Sequence, residues 1–201
     1  MKFSQPIIIT IDGISGSGKS FVSDRLATRL KCSVIHGDDI MFEGVGLLQS
    51  RMKQIFGNAP GSEDPRVYID RNLAGEEKIV QRRELFNQTR DYVEEQSIKA
   101  IKESDSEICL VEWQSSNLFS ELWCDADFRI MVDASIETRE RLAKIRGEIT
   151  DLMPEATLIR EKAYRPLLIN AQNVNQRIEN QGCKKSLFQK IEEVSEQILL
   201  L

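Results

Sequence analysis

Short apolar runs alternate along the chain with segments whose apolar residues recur every three or four positions. Residues 6–11 form a largely β-branched run that ends at a glycine turn, which predicts a first strand covered on both faces. Val22, Leu26 and Leu30 then repeat at four-residue spacing, predicting a helix over Lys19–Leu30 with one buried stripe. Ser33–His36 predicts a short second strand that stops at Gly37-Asp38-Asp39. Residues 108–111, ended by Glu112, predict a third strand, and residues 128–132, ended by Asp133, a fourth. A weak fifth covers residues 177–179 and is closed by Asn180-Gln181-Gly182. Residues 76–104 predict one long helix or two, with Ile79, Phe86 and Val93 seven apart. Residues 138–146 predict a helix, a charged helical segment surrounds Glu161, and a last helix places Leu187, Ile191, Val194 and Ile198 on one face that reads as core. Residues 40–56 are mixed in character, and Gly57, Asn58, Pro60, Gly61 and Pro65 mark a loop.

Strands alternating with helices predict an α/β fold, a five-stranded parallel sheet with helices on both faces. A chain of 201 residues without an interdomain linker or internal repeat reads as a single domain, 1–201. Within it, residues about 40–105 read as a helical substrate-binding region and about 139–170 as a lid. Composition adds exclusions. A net charge of −5 gives no general attraction to nucleic acid or anionic lipid. No apolar run approaches the ~20 residues a membrane helix needs, and the three isoleucines 7–9 are too few for a signal-peptide core, so a cytoplasmic protein is expected. Cys32, Cys109, Cys124 and Cys183 are scattered without a CxxC pair and read as reduced, mostly packing thiols rather than a metal site.

The strongest chemical signal is Gly13-Ile14-Ser15-Gly16-Ser17-Gly18-Lys19-Ser20, which fits G-x-x-x-x-G-K-[ST] between a predicted strand and a predicted helix. A loop that wraps phosphate oxygens must turn its backbone N–H groups inward, and glycines permit those angles without a side chain in the way. The helix beginning at Lys19 adds the positive end of its dipole. Such a loop binds ATP with Mg²⁺: Lys19 reaches the β- and γ-phosphates, and the Ser20 hydroxyl ligates the metal.

A GTPase switch would carry N-K-x-D and D-x-x-G strings, and a transport ATPase an LSGGQ-like signature; none occurs. The remaining reading is a kinase acting on a small-molecule acceptor, with a non-catalytic nucleotide-binding regulator as the competing class. A kinase needs a carboxylate at the acceptor hydroxyl, and strand ends beside the phosphate loop are where ligands sit. Asp38 is therefore the candidate base, and Asp39 a candidate acceptor contact; both could instead cap the next helix. Glu112 could hold the magnesium hydration shell or the acceptor, and Asp12 could brace the loop backbone. Cations for the transferred group are sought among Arg139, Arg141, Arg146, Arg160 and Arg165, with Arg146 first, beside the Arg146-Gly147 break, and Arg141 next as a nucleotide contact. His36, the only histidine, reads as strand-end packing or as a helper of Asp38.

These residues resemble the dephospho-coenzyme A kinases within the wider group of P-loop nucleoside and nucleotide kinases. The phosphate loop followed by Val34-Ile35-His36-Gly37-Asp38 is similar to that family's strand ending in D-x-D, with His36 where the family has its first aspartate. Ile55-Phe56-Gly57 and Ile69-Asp70-Arg71-Asn72-Leu73 resemble its substrate-domain stretch, Val132-Asp133-Ala134 the entry to its lid, and Ile178-Glu179-Asn180-Gln181-Gly182 its I-x-N-x-G turn. Residues 113–119 depart from the family's P-L-L-F-E segment. The resemblance implies a P-loop kinase fold with Lys19 and Ser20 as loop residues, Asp38 as base, Arg146 as lid arginine and Arg71 in the substrate region. It also implies phosphorylation of the ribose 3′-hydroxyl of dephospho-coenzyme A, a step of coenzyme A biosynthesis. Ile11-Asp12 before the loop and Asp38-Asp39-Ile40 after the second strand look like uridine and cytidylate kinases instead, so the acceptor stays open between the two. Preference for ATP over GTP and the oligomeric state are also open.

Overall fold

The structure, a computed structural model, describes residues 5–44, 69, 71–114, 116–119, 121–147 and 171–201. The readings at residues 45–65, at Asp70 and around Glu161, with Arg160 and Arg165, lie outside them. The chain divides into two compact units, residues 1–36 with 100–201, and residues 37–99.

The first unit is built on a five-stranded parallel sheet, as the alternation of elements predicts. β1 (Ile7–Asp12), β2 (Ser33–His36), β3 (Ile108–Glu112), β4 (Phe128–Asp133) and β5 (Gln176–Glu179) lie in the order β2-β3-β1-β4-β5. Pro6 has no N–H to give, so the strand proper starts at Ile7, whose N–H donates to Glu107 O at 2.9 Å. The first helix, α1 (Lys19–Leu30), buries the Val22, Leu26 and Leu30 stripe read from its spacing. It packs with the C-terminal helix (Lys184–Ile198) over one face of the sheet, against Ile9, Ile11, Leu110, Phe128, Ile130, Val132 and Ile178. These are alternate residues of each strand, as the two-residue side-chain period requires.

The other face carries Met131, packed with Ile14, Ala171 and Val174. Arg129, two residues before Met131 and so on the same side, reaches the short helix Leu122–Asp125: its Nε donates to Trp123 O at 2.6 Å and its guanidinium lies 6.0 Å from the Trp123 ring centre. Helices therefore flank the sheet on both faces.

In the second unit, α2 (Gly37–Glu43) begins where β2 ends, so the Gly37-Asp38-Asp39 string that reads as a strand stop is also a helix start. The long segment is one helix, α3 (Gly75–Glu103), with no glycine or proline inside it to interrupt the ladder. Numbering onward, α4 is Leu122–Asp125, α5 is Ile136–Arg146 and α6 is Lys184–Ile198. The α5 helix starts two residues before the predicted 138 because Ser135 caps it, its hydroxyl accepting from Thr138 N at 3.2 Å; Gly147 ends it at φ +71°.

The thiols divide more evenly than the packing reading expects: Cys109 is buried and Cys32 half-buried, but Cys124 and Cys183 are exposed. Burial, with Cys109 beside it, pushes the Cys32 thiol up to about 11. At pH 8 about a thousandth of it is thiolate, the reactive form. A thiol reagent at pH 8 should modify Cys124 and Cys183 in the native protein and reach Cys32 and Cys109 only on unfolding, as peptide mapping would show. Leu26→Ala, at a fully buried position, should lower stability by about 2–5 kcal/mol in urea titration. Ile145→Ala, at a position 76% exposed, should change it by no more than about 0.5 kcal/mol.

Candidate functional site

The parallel register brings three strand ends abreast. Ile11 of β1 pairs with Glu112 of β3, and Glu112 pairs with His36 of β2. Glu112 follows Leu110 by two residues and so faces the α1 side, where Lys19 opens the helix. The Lys19 ammonium lies 3.2 Å from Glu112 Oε1, and both side chains are almost fully buried. Glu112 Oε2 is 2.9 Å from His36 Nδ1, and His36 Nε2 is 3.5 Å from Asp24 Oδ1 on α1. Stripping either partner from a buried ion pair leaves a charge without compensation, a penalty of about 3–5 kcal/mol, so each holds the other in place. Glu112 Oε1 takes the ion-pair contact but no aligned hydrogen bond. It is therefore a buried acceptor with capacity left over.

The loop from Gly13 to Gly18 joins β1 to α1. Ile14 is buried against Met131 and anchors it, and Ser17 N donates back to Ile14 O at 3.0 Å. Gly16 and Gly18 stand at φ +84° and +97°, a region that side-chain-bearing residues avoid. Gly13 is required for space instead: a Cβ there would collide with Val132 O and lie 2.7 Å from Ser17 Oγ. Asp12 braces the start of the loop, accepting from Gly13 N through Oδ1 and from Asn117 N at 2.8 Å through Oδ2. Ser15 is half-buried, and Ser20, at the second position of α1, is exposed. A hydroxyl and a carboxylate are the hard oxygen donors that magnesium takes, so Ser20 and Glu112 fit that ion, and the amides at the N-terminus of α1 fit the polyphosphate it accompanies.

The arginines read from sequence are separated by the fold. Arg139 is buried, its stem runs 3.6–3.7 Å from where a Gly16 Cβ would stand, and its Nε donates to Ala134 O at 3.2 Å. Arg141 reaches the β5–α6 connection, its Nη2 donating to Gln181 O at 2.9 Å against Gly182. Arg146, singled out from its glycine neighbour, is exposed in the last turn of α5, about 10 Å along the axis from Arg139. Asp38 and Asp39 are exposed in the first turn of α2, and Arg71 is exposed; all three belong to the second unit.

Asn180 is the residue that sequence reading left without a role. It is buried, its Nδ2 donates to Ser17 O at 2.8 Å, and its Oδ1 accepts from Gly182 N at 2.9 Å. The only signal for it was the I-x-N-x-G string, which suggests a turn and says nothing about a contact 163 residues away.

No protein-family model matches the chain, and no relative with a curated description matches it. Among solved structures it is similar to TT1252 from Thermus thermophilus, with TM-score 0.70 and 22% identity over 96% of this chain and 98% of that one. It is similar to shikimate kinase from Acinetobacter baumannii in complex with shikimate, with TM-score 0.56 and 13% identity over 98% and 95%. It is also similar to dephospho-CoA kinase from Campylobacter jejuni, with TM-score 0.52 and 14% identity over 97% and 98%. No helix among the described residues is long and apolar enough to cross a membrane. With its parallel sheet, glycine loop and nearly full-length likeness to such structures, the chain has the fold of the P-loop kinases.

Proposed function

We propose that the protein is an ATP-dependent phosphotransferase that moves the γ-phosphoryl group to a hydroxyl of a small molecule. The observation that carries this reading is the loop itself: glycines at positive φ lead into α1, and Lys19 stands at its mouth, held on Glu112. A lysine so placed would exchange a carboxylate oxygen for phosphate oxygens when nucleotide binds, and Glu112 would keep His36 as a partner. Ser20 and Glu112 would be the residues to hold magnesium or its water shell, and the ion would supply positive charge to offset that of the phosphates. Arg139, already lying over Gly16, is the arginine best placed at the loop; Arg146 is proposed as a lid residue of the 139–170 segment and Arg141 as its support on the nucleotide side. Asp38 is proposed as the base that orients the acceptor hydroxyl and takes its proton, with Asp39 beside it as a further acceptor contact and Arg71 in the helical acceptor region, residues about 40–105.

For the acceptor, the resemblance favours the ribose 3′-hydroxyl of dephospho-coenzyme A, in keeping with the structural likeness to a dephospho-CoA kinase. The nucleoside reading rests on Ile11-Asp12 and Asp38-Asp39-Ile40, and the shikimate kinase likeness adds a third acceptor to test. An ADP-release assay with dephospho-coenzyme A, uridine, cytidine and shikimate in separate arms decides among them. One acceptor should raise ADP release well above the acceptor-free rate. Release unchanged in every arm would instead favour a nucleotide-binding regulator.

Two substitutions test the roles. Lys19→Met should abolish transfer, measured as loss of phosphorylated product. Asp38→Asn should lower kcat by about 10²-fold or more while the Kd for Mg-ATP stays within about twofold, measured by calorimetry beside the rate assay. Wild-type turnover in Asp38→Asn would remove that residue from the mechanism.

A further inference from the structure

The phosphate loop has a carbonyl that is pulled from outside. Ser17 O accepts the Asn180 side-chain amide at 2.8 Å, in a residue only 5% exposed. The amide cannot be turned the other way round: Asn180 Oδ1 accepts the Gly182 N–H at 2.9 Å, so the nitrogen must face Ser17. Asn180 is itself immobilised. Its own N–H donates to Asp133 O at 2.7 Å, extending the β4–β5 ladder by one bond, and Arg141 ties the following Gln181 carbonyl to α5 at 2.9 Å.

The consequence lies on the far side of the same peptide. The Ser17 carbonyl and the Gly18 N–H belong to one planar trans unit and point in opposite directions. Holding the carbonyl on Asn180 therefore aims the Gly18 N–H away from Asn180. No acceptor among the described residues takes that N–H, and it immediately precedes Lys19 at the start of α1. The backbone at Gly18 is at φ +97°, and a Cβ there would stand 2.6 Å from Asn180 Nδ2 and 3.7 Å from its Cγ, so the amide nitrogen points at the glycine and a side chain would not fit between them.

We infer that Asn180 is a positioning residue for phosphate binding: by holding the Ser17 carbonyl outward it fixes the Gly18 N–H as an inward donor to the polyphosphate. The ligand class is the phosphate tail alone, whatever base it carries. The inference rests on the nucleotide-binding reading above and extends it to a residue of the β5–α6 connection.

Asn180→Asp keeps the shape and the bond to Gly182 N but sets an oxygen against the Ser17 carbonyl, removing the donor. Calorimetry with Mg-ATP and, separately, with inorganic tripolyphosphate should show both dissociation constants rising about tenfold in the variant, the size of one lost hydrogen bond. The unfolding midpoint is recorded without ligand alongside. A variant that binds both probes within twofold of wild type overturns the inference alone, and so does a loss confined to ATP, which would place Asn180 at the base. Should the variant not fold, the wild type still decides: the Gly18 amide proton should move downfield on saturation with tripolyphosphate, and an unmoved signal overturns the inference. Wild type that binds neither probe overturns the nucleotide reading and this inference together.

Discussion

A glycine loop between a strand and a helix is an unfavourable piece of chain by itself. It forms no internal ladder, it places residues at positive φ, and its exposed donors would rather bond to water. Here the neighbouring elements supply what the loop lacks. Val132 O on β4 closes over Gly13, the Asp12 carboxylate takes the Gly13 N–H, Ile14 is buried against Met131, and Asn180 beyond β5 takes the Ser17 carbonyl. Three strands of the sheet thus converge on eight residues. A donor set organised before the ligand arrives needs no reorganisation when charge is placed in it, the usual source of strength in such sites.

The second organising feature is electrostatic. Lys19, Glu112, His36 and Asp24 form a chain of alternating charge and polarity across the ends of β2 and β3 and along α1. Its inner pair is buried, His36 is half-buried and Asp24 is exposed, so the chain grades from low to high dielectric. Lys19 and Glu112 form a buried ion pair at 3.2 Å; Asp24, 64% exposed, contributes little beyond orienting the imidazole. His36 therefore has a structural partner in Glu112 and helps to hold that carboxylate in place.

Trp113 and Phe119, just past β3, serve packing. Trp113 and Phe119 stack with ring centres 5.4 Å apart and planes 8° from parallel, and both are buried. Trp113 N also donates to Ile11 O at 3.2 Å, continuing the sheet past Glu112. The aromatic pair fills volume beside β1, where Trp113 carries the β1–β3 ladder one bond further. A pocket for the proposed acceptor would be a shape made between elements, and so is less legible in a sequence than a loop marked by its glycines.

What the sequence determined by itself was everything set by local spacing. The bounds of α1 and β2, the buried stripes of α1 and α6, and the glycine loop between β1 and α1 follow from periodicity and from the angles that only glycine tolerates; each cause lies within a few residues of its effect. Tertiary structure alone decided the strand order β2-β3-β1-β4-β5 and, through it, which polar side chains meet. Glu112 and His36 are 76 residues apart and Asn180 and Ser17 are 163 apart; no local pattern encodes either pairing. Arg139 and Arg146 lie on nearly the same face of one helix and look alike in sequence, yet one is buried over Gly16 and the other is exposed, because they stand two turns apart and the first turn of α5 lies against the loop. Period-based reading assigns residues to elements, but the contacts that orient a site are made between elements, where burial makes an unpaired charge or carbonyl too costly to leave alone.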